Sequence, residues 1–333
     1  MKQILIFGST GNIGAYFVDY CKTHLNPEEY NVVAVGRKDT DFYTAKGSDY
    51  IQLDIRNRAD FERLPEKDVY AVVHLAGLLP AYMREFDPVG YINTNVEGSL
   101  NILEYSRKHN VDRVIYTQTW AEQAGYWGKE TVLRPEMPRK LVFTGDHAFY
   151  SITKSMVEDM MEFYKQEYGI KNFVFRLPNV YLYSPQQYYY VDGVKKPISY
   201  RYMIERASSG ENLEIWGDPD AFKDVLYVKD LCKMMFLALF ADREGGLYNA
   251  GTGIKTTLRE QIQGIVDVFA PEPNKVEIIE RPEKPSFTSF VMDISSLRND
   301  LGYEPDYSYH EYLNDYKKER ELKRFDVLWG NVQ

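Results

Sequence analysis

Tyr150 and Lys154 stand four residues apart in "FYSITKSM" (149–156), in a stretch that otherwise reads as a helix. Residues at i and i+4 share one helix face. The pair is therefore either an ordinary solvated contact or an acid/base centre in which a phenol and an ammonium act together. With 28 tyrosines in the chain, roughly one or two such spacings arise by accident. The surrounding sequence has to decide.

A second constellation lies at the amino terminus. "GSTGNIG" places Gly8, Gly11 and Gly14 directly after an apolar run and at the start of a helical pattern, with Thr10, Asn12 and Ile13 between them. Glycines there permit a tight turn and let backbone N–H groups approach a pyrophosphate, which the positive end of the helix then holds. The spacing is G-x-x-G-x-x-G, not G-x-G-x-x-G. A plain strand-to-helix turn also explains three glycines, but its place in the first turn of the first crossover favours a dinucleotide. At the end of the second strand, "AVGRK" supplies Arg37 and Lys38 before any carboxylate. A basic residue there suits a 2′-phosphate and an acidic one a ribose 2′-OH; the expectation leans to NADP over NAD, with two solvated turn residues as the competing reading.

These groups need a frame. Short apolar runs at 3–8, 31–36, 50–55, 70–77, 113–119 and 172–181 read as buried strands, and patterns such as "EGSLNILEYSRKHN" (97–110) and "SMVEDMMEFYKQEYG" (155–169) as helices between them. That alternation predicts an α/β, doubly wound parallel sheet of the Rossmann type. After residue 181 the rhythm breaks. "YLYSPQQYYYVDGVKKPISYRY" reads as a long loop, followed by helical segments and the short strands "LEIWG" and "KVEIIE". The expected division is a dinucleotide-binding domain at 1–180, to which about 221–250 returns, and a smaller carboxy-terminal α+β substrate lobe from 181–220 and 251–330.

Composition narrows the partners. A net charge of −9 argues against nucleic acid, whose binding depends on clustered Lys and Arg. No apolar run approaches the ~20 residues of a membrane span, and no signal-peptide pattern follows "MKQILIFGST". The expectation is a cytoplasmic protein with no membrane partner. Cys21 and Cys232 are far apart with no CxxC, and the five histidines show no metal spacing, so no metal is expected.

With the glycine loop, Tyr150 and Lys154 in place, the chain resembles the extended short-chain dehydrogenase/reductases, the NAD(P)-dependent epimerase/dehydratase family. "QLDIRN" is similar to the segment carrying the family's acidic residue near the adenine, which implies Asp54 and Ile55 there. "HLAG" resembles the turn that covers the cofactor, implying Leu75, Ala76 and Gly77. "NTNVEGSLNILE" puts Asn95 at the family's structural asparagine. "RLPNVY", "KDVLYVKD" and "ERPEKPSF…MDISSLRNDLGYEP" extend the likeness along nearly the whole chain.

The resemblance implies a role for each residue. Tyr150 would work as a phenolate on a sugar hydroxyl, its pKa lowered by the Lys154 charge. "YTQTWAEQAGY" puts Thr119 at the third catalytic position and Thr117 nearer the nicotinamide. Related sugar dehydratases carry Asp-Glu right after that Thr; here Trp120 and Ala121 stand there, and Glu122 is out of register. Asn179, Lys223 and Arg281 match positions that contact the substrate diphosphate, with Lys223 replacing the usual arginine and losing its bidentate fork. Arg201, Lys195 and Lys196 are lesser candidates, expected to be solvated, and His147 could face the substrate.

The expectation that follows is epimerisation of a nucleotide-diphosphate sugar at C4 through a keto intermediate. The alternatives are a net reductase or dehydrogenase and, from another class, a cofactor-sensing binding protein. The resemblance also implies a homodimer through the helices of 97–110 and 150–168, with Met156, Val157, Met160 and Met161 able to face either the partner or the sheet.

Overall fold

The computed structural model describes residues 1–330. Its centre is a seven-stranded sheet of β1 (Lys2–Phe7), β2 (Tyr30–Gly36), β3 (Asp49–Gln52), β4 (Val69–His74), β5 (Arg113–Thr119), β6 (Lys171–Leu177) and β7 (Gly245–Asn249). The order is β3-β2-β1-β4-β5-β6-β7, and every pairing is parallel. Alternate residues of each strand feed different cores: Ile4 and Ile6 belong to one apolar cluster, Leu5 and Phe7 to the other. Strands buried on both faces need apolar residues at every position, which is why they read as continuous apolar runs.

Helices cover both faces. On one side α1 (Asn12–His24) packs with α5 (Val228–Phe240). On the other, α2 (Gly98–Lys108) packs with α3 (His147–Tyr168), whose Val157 and Met161 join the second core. Beyond the sheet, α4 (Ser199–Ser208) and α7 (Tyr309–Leu322) both pack on α6 (Leu258–Phe269). The expected short strands form a parallel pair, Leu213–Trp216 with Ile278–Arg281. Thr257 and Glu260 close a reciprocal cap at the start of α6, and Ser308 with Glu311 does the same for α7.

Two expectations change. The run expected at 172–181 is two strands: β6 stops at Leu177, before Pro178, and Val180–Tyr181 pairs separately with Leu226–Tyr227. Proline has no N–H to give a ladder, so it ends one. The stretch after 181 is not a loop throughout. Tyr188–Val191 and Val194–Pro197 form an antiparallel hairpin, turned by Asp192 and Gly193 with φ of 49° and 75°. Two consecutive positive φ values are the signature of a two-residue hairpin turn, for which Asp-Gly is a favoured sequence.

Candidate active site

The strand order reverses between β1 and β4, and in an open parallel sheet the loops leaving such a pair bound a ligand crevice. The loop after β1 holds the glycines. Gly8 has φ +83°, and a Cβ there would lie 2.7 Å from Ala76 N and from Leu75 C. At Gly14 it would lie 2.1 Å from the Gly8 carbonyl oxygen. No side chain fits at either position, whereas at Gly11 the nearest contact would be 3.2 Å. The loop is therefore drawn tight against Leu75–Gly77 and the first turn of α1. Gly11 precedes that helix without a side-chain cap, leaving its first N–H groups available to an anion. This cradle fits the diphosphate of a dinucleotide.

Around the adenine end the charged candidates are partly committed. Lys38 Nζ donates to the Leu328 carbonyl, and burial together with Arg37 lowers its pKa. Arg37 is exposed. Asp54 is held by Arg56 in a bidentate contact at 2.6–3.2 Å, which keeps its carboxyl below the usual range. Ile55 is buried, and its carbonyl accepts from Asn101 in α2 at 2.9 Å.

The opposite wall is fixed by Asn95. Its Oδ1 accepts from Leu78 N at 2.7 Å, and its Nδ2 donates to Leu78 O at 3.1 Å and Thr153 Oγ1 at 3.4 Å. One buried amide thus ties the loop after β4 to the helix that carries Tyr150 and Lys154. Lys154 is only 6% exposed, with Nζ 3.9 Å from the centre of the Tyr116 ring. Among the described residues Nζ has no hydrogen bond and no carboxylate within ion-pair reach, and burial pushes its pKa down to about 7. A buried cation without an anion is costly, and a bound group carrying oxygen acceptors would satisfy it. Tyr150 is partly buried, its ring 6.0 Å from that of Tyr91 and 6.3 Å from that of His147. Burial raises the Tyr150 phenol above its ordinary value, opposite to the lowering expected from the Lys154 charge.

Thr119 closes β5 beside Leu177 and is 8% exposed; its Oγ1 accepts from Ala121 N at 3.2 Å. Thr117, two residues earlier, shares its strand face. Glu122 has no exposed surface and is bound to Arg176 Nε at 2.5 Å, so it is not a free acid. The sequence carried a signal for this pair: an arginine inside the apolar "NFVFRLP" demands a buried anion.

The diphosphate candidates divide. Asn179 is exposed just past β6. Lys223 Nζ lies 3.9 Å over the Phe287 ring, with its pKa lowered by burial. Arg281 is half-exposed and donates to Glu214 at 3.1 Å. Arg201 is buried, not solvated: it donates to Tyr200 Oη, Ser184 Oγ, Gln186 O and Leu182 O and locks the segment leading into the hairpin. Lys195 and Lys196 are exposed on the hairpin.

Residues 4–251 match the NAD dependent epimerase/dehydratase family. The chain belongs to that family. As a member, it is an enzyme of the NAD(P)-dependent epimerase/dehydratase class. It is similar to a putative UDP-glucose 4-epimerase of Methanocaldococcus jannaschii, at 25% identity over 91% of this chain and 93% of that protein. A dTDP-glucose 4,6-dehydratase of Haemophilus influenzae is 23% identical over 94% of this chain and 96% of that one. Among solved structures, the UDP-glucose 4-epimerase of Thermotoga maritima with UDP-glucose shares the fold with a TM-score of 0.76, at 24% identity over 96% of this chain and 99% of that one. The dTDP-glucose 4,6-dehydratase of Bacillus anthracis in complex with NAD has a TM-score of 0.73, at 21% identity over 98% and 100%. Among the described residues no helix is long and apolar enough to cross a membrane.

Proposed function

We propose that this member of the family epimerises a nucleotide-diphosphate sugar at C4, holding NAD across the β1/β4 crevice. One observation carries the choice of epimerisation over dehydration. Directly after Thr119 stand Trp120 and Ala121, and the next carboxylate, Glu122, is enclosed and paired to Arg176. No acid there is free to move a second proton. The names of the relatives include both reactions, so this local chemistry discriminates where overall likeness does not. The choice of C4 follows the epimerases among them.

In this reading the dinucleotide lies with its diphosphate on the Gly8–Gly14 loop and with Leu75, Ala76, Gly77 and Thr117 along its length. When bound, it supplies the hydride acceptor and donor. Tyr150 takes the proton from the sugar hydroxyl and later returns it. Lys154 holds the nicotinamide ribose and, once charged, offsets the burial that otherwise keeps the phenol protonated. Thr119 orients the hydroxyl. Asn179, Lys223 and Arg281 serve the diphosphate, Arg281 after exchanging its contact with Glu214. NAD is favoured over NADP because solved proteins of the same fold are complexed with NAD, and of the two basic residues Lys38 is drawn to the Leu328 carbonyl. We further propose a homodimer in which Leu100, Ile152, Met156 and Phe163, exposed on α2 and α3, meet their counterparts.

The test is direct. Mass spectrometry of what copurifies should find NAD, and incubation with UDP-glucose should give the C4 epimer without net change in the near-ultraviolet absorbance of reduced nicotinamide. Tyr150→Phe should retain the dinucleotide and lose turnover by a factor of at least about 100, the lower range for a general acid–base group. A stoichiometric rise or fall in that absorbance would instead identify a net dehydrogenase or reductase. Full turnover by Tyr150→Phe would remove the assigned base.

A further inference from the structure

We propose that Glu122 is a positioning residue that holds the end of β5, carrying Thr119, against α3, carrying Tyr150 and Lys154. The inference rests on the function proposed above. Glu122 has no exposed surface. Its Oε1 accepts from Arg176 Nε at 2.5 Å; its Oε2 accepts from Gln118 Nε2 at 3.2 Å and Ser155 Oγ at 3.4 Å, and lies 3.3 Å from Arg139 Nε.

Two of these partners, Gln118 and Ser155, lie next to residues assigned to the chemistry, and the two arginines tie the carboxylate to the surrounding elements. Gln118 bends back so that its Oε1 accepts from Thr119 N at 2.7 Å, while its Nε2 also donates to Glu158 Oε2 at 2.8 Å. Ser155 directly follows Lys154, and Glu158 stands one turn further along the same helix. Arg176 continues into β7 by donating to Asn249 Oδ1 at 2.8 Å. Arg139 bridges back to Glu158 at 3.0 Å and Asp159 at 2.7 Å. One carboxylate therefore links β5, α3 and β6 directly, and β7 through Arg176. It has no route to the reacting atoms, so it acts on their spacing. A fully desolvated anion held by several donors cannot swing away without leaving charges unpaired.

The arrangement predicts a pH signature. The groups facing Glu122 are Arg176 from β6, Arg139 from the loop before α3, Glu158 and Ser155 from α3, and Gln118 from β5. Burial raises the Glu122 carboxyl to about 6, with Glu158 adding to the rise and Arg176 and Arg139 opposing it. Protonation as pH falls through that value removes the anion and loosens the Gln118 side chain that supports Thr119 N.

Glu122→Gln keeps the shape and removes the charge. With UDP-glucose as substrate, kcat should fall by about 10- to 100-fold, the scale of a small misplacement of reacting groups. KM and the bound dinucleotide should stay unchanged, and the acid limb expected near pH 6 for the wild type should be absent from the variant. Arg139 is more exposed, so Arg139→Gln tests the same idea with less risk to folding: losing a neighbouring positive charge should move that limb to higher pH. An active wild type whose kcat and acid limb survive Glu122→Gln, or a variant whose activity falls only with its folded fraction, overturns the positioning role alone. A wild type that binds NAD but turns over no nucleotide sugar overturns the functional reading, and this inference with it.

Discussion

Lys154 is the residue whose physics is most sharply set by its surroundings. Its pKa falls from an ordinary 10.5 to about 7 because burial disfavours the ammonium. Between those values the unfolded chain holds a proton that the folded, dinucleotide-free protein does not, so this group makes stability rise with pH across that window. At and below about 7 both states are protonated and the penalty is complete. Lys154→Met should therefore stabilise the empty protein near neutral pH, and the gain should shrink as pH rises toward 10. Urea unfolding at several pH values measures it; parallel stability curves for the two proteins would show that the ammonium is not perturbed. Saturating dinucleotide should reduce the difference, because ligand acceptors would meet the charge.

At the scale of elements, the hairpin of Tyr188–Pro197 is the part that sequence periodicity missed and turn chemistry explains. It docks on the segment after β4. Arg84 Nε donates to Tyr190 Oη at 3.1 Å, and a Cβ at Gly193 would come within 2.6 Å of the Arg84 carbonyl oxygen. Next to that contact, Tyr82 Oη accepts from Asn12 Nδ2 at 3.4 Å, joining the start of α1 to the segment after β4. Gly193→Val would combine left-handed backbone strain of about 1–3 kcal/mol with a clash against Arg84. Limited proteolysis should then cut the hairpin faster, whereas Asp192→Gly, which suits a positive φ, should leave cleavage near the wild-type rate. Equal rates for Gly193→Val and the wild type would mean that the hairpin is not docked.

For the whole molecule the open question is assembly. Of the four residues considered for the partner face, Val157 and Met161 are buried in the sheet-side core, Met160 packs beside them, and only Met156 is strongly exposed. Ile152, Met156 and Phe163 instead form an outward stripe at i, i+4 and i+11 of α3, with Leu100 on α2. Two copies joined along it would bury the exposed 37% to 55% of each of these side chains, roughly half of the 1.5–3 kcal/mol that full burial of such a side chain gives. Sedimentation equilibrium should find a dimer for the wild type, and a monomer for Met156→Glu combined with Phe163→Glu. A wild-type monomer would refute the proposed assembly.

The sequence by itself determined the sheet. Strands covered on both faces must be apolar throughout and helices on one stripe only, and those periods are local properties of the chain. The glycine loop was equally legible, because the need for a residue without a Cβ at Gly8 and Gly14 arises within a few residues of the turn. What only the tertiary structure decided are the partners of charged groups distant in sequence. Lys38 meets Leu328, Arg176 meets Glu122 and Arg281 meets Glu214. Whether a cation is free to bind a phosphate, or a carboxylate free to move a proton, depends on which opposite charge or carbonyl the fold brings within about 3 Å, and spacing along the chain does not encode that distance.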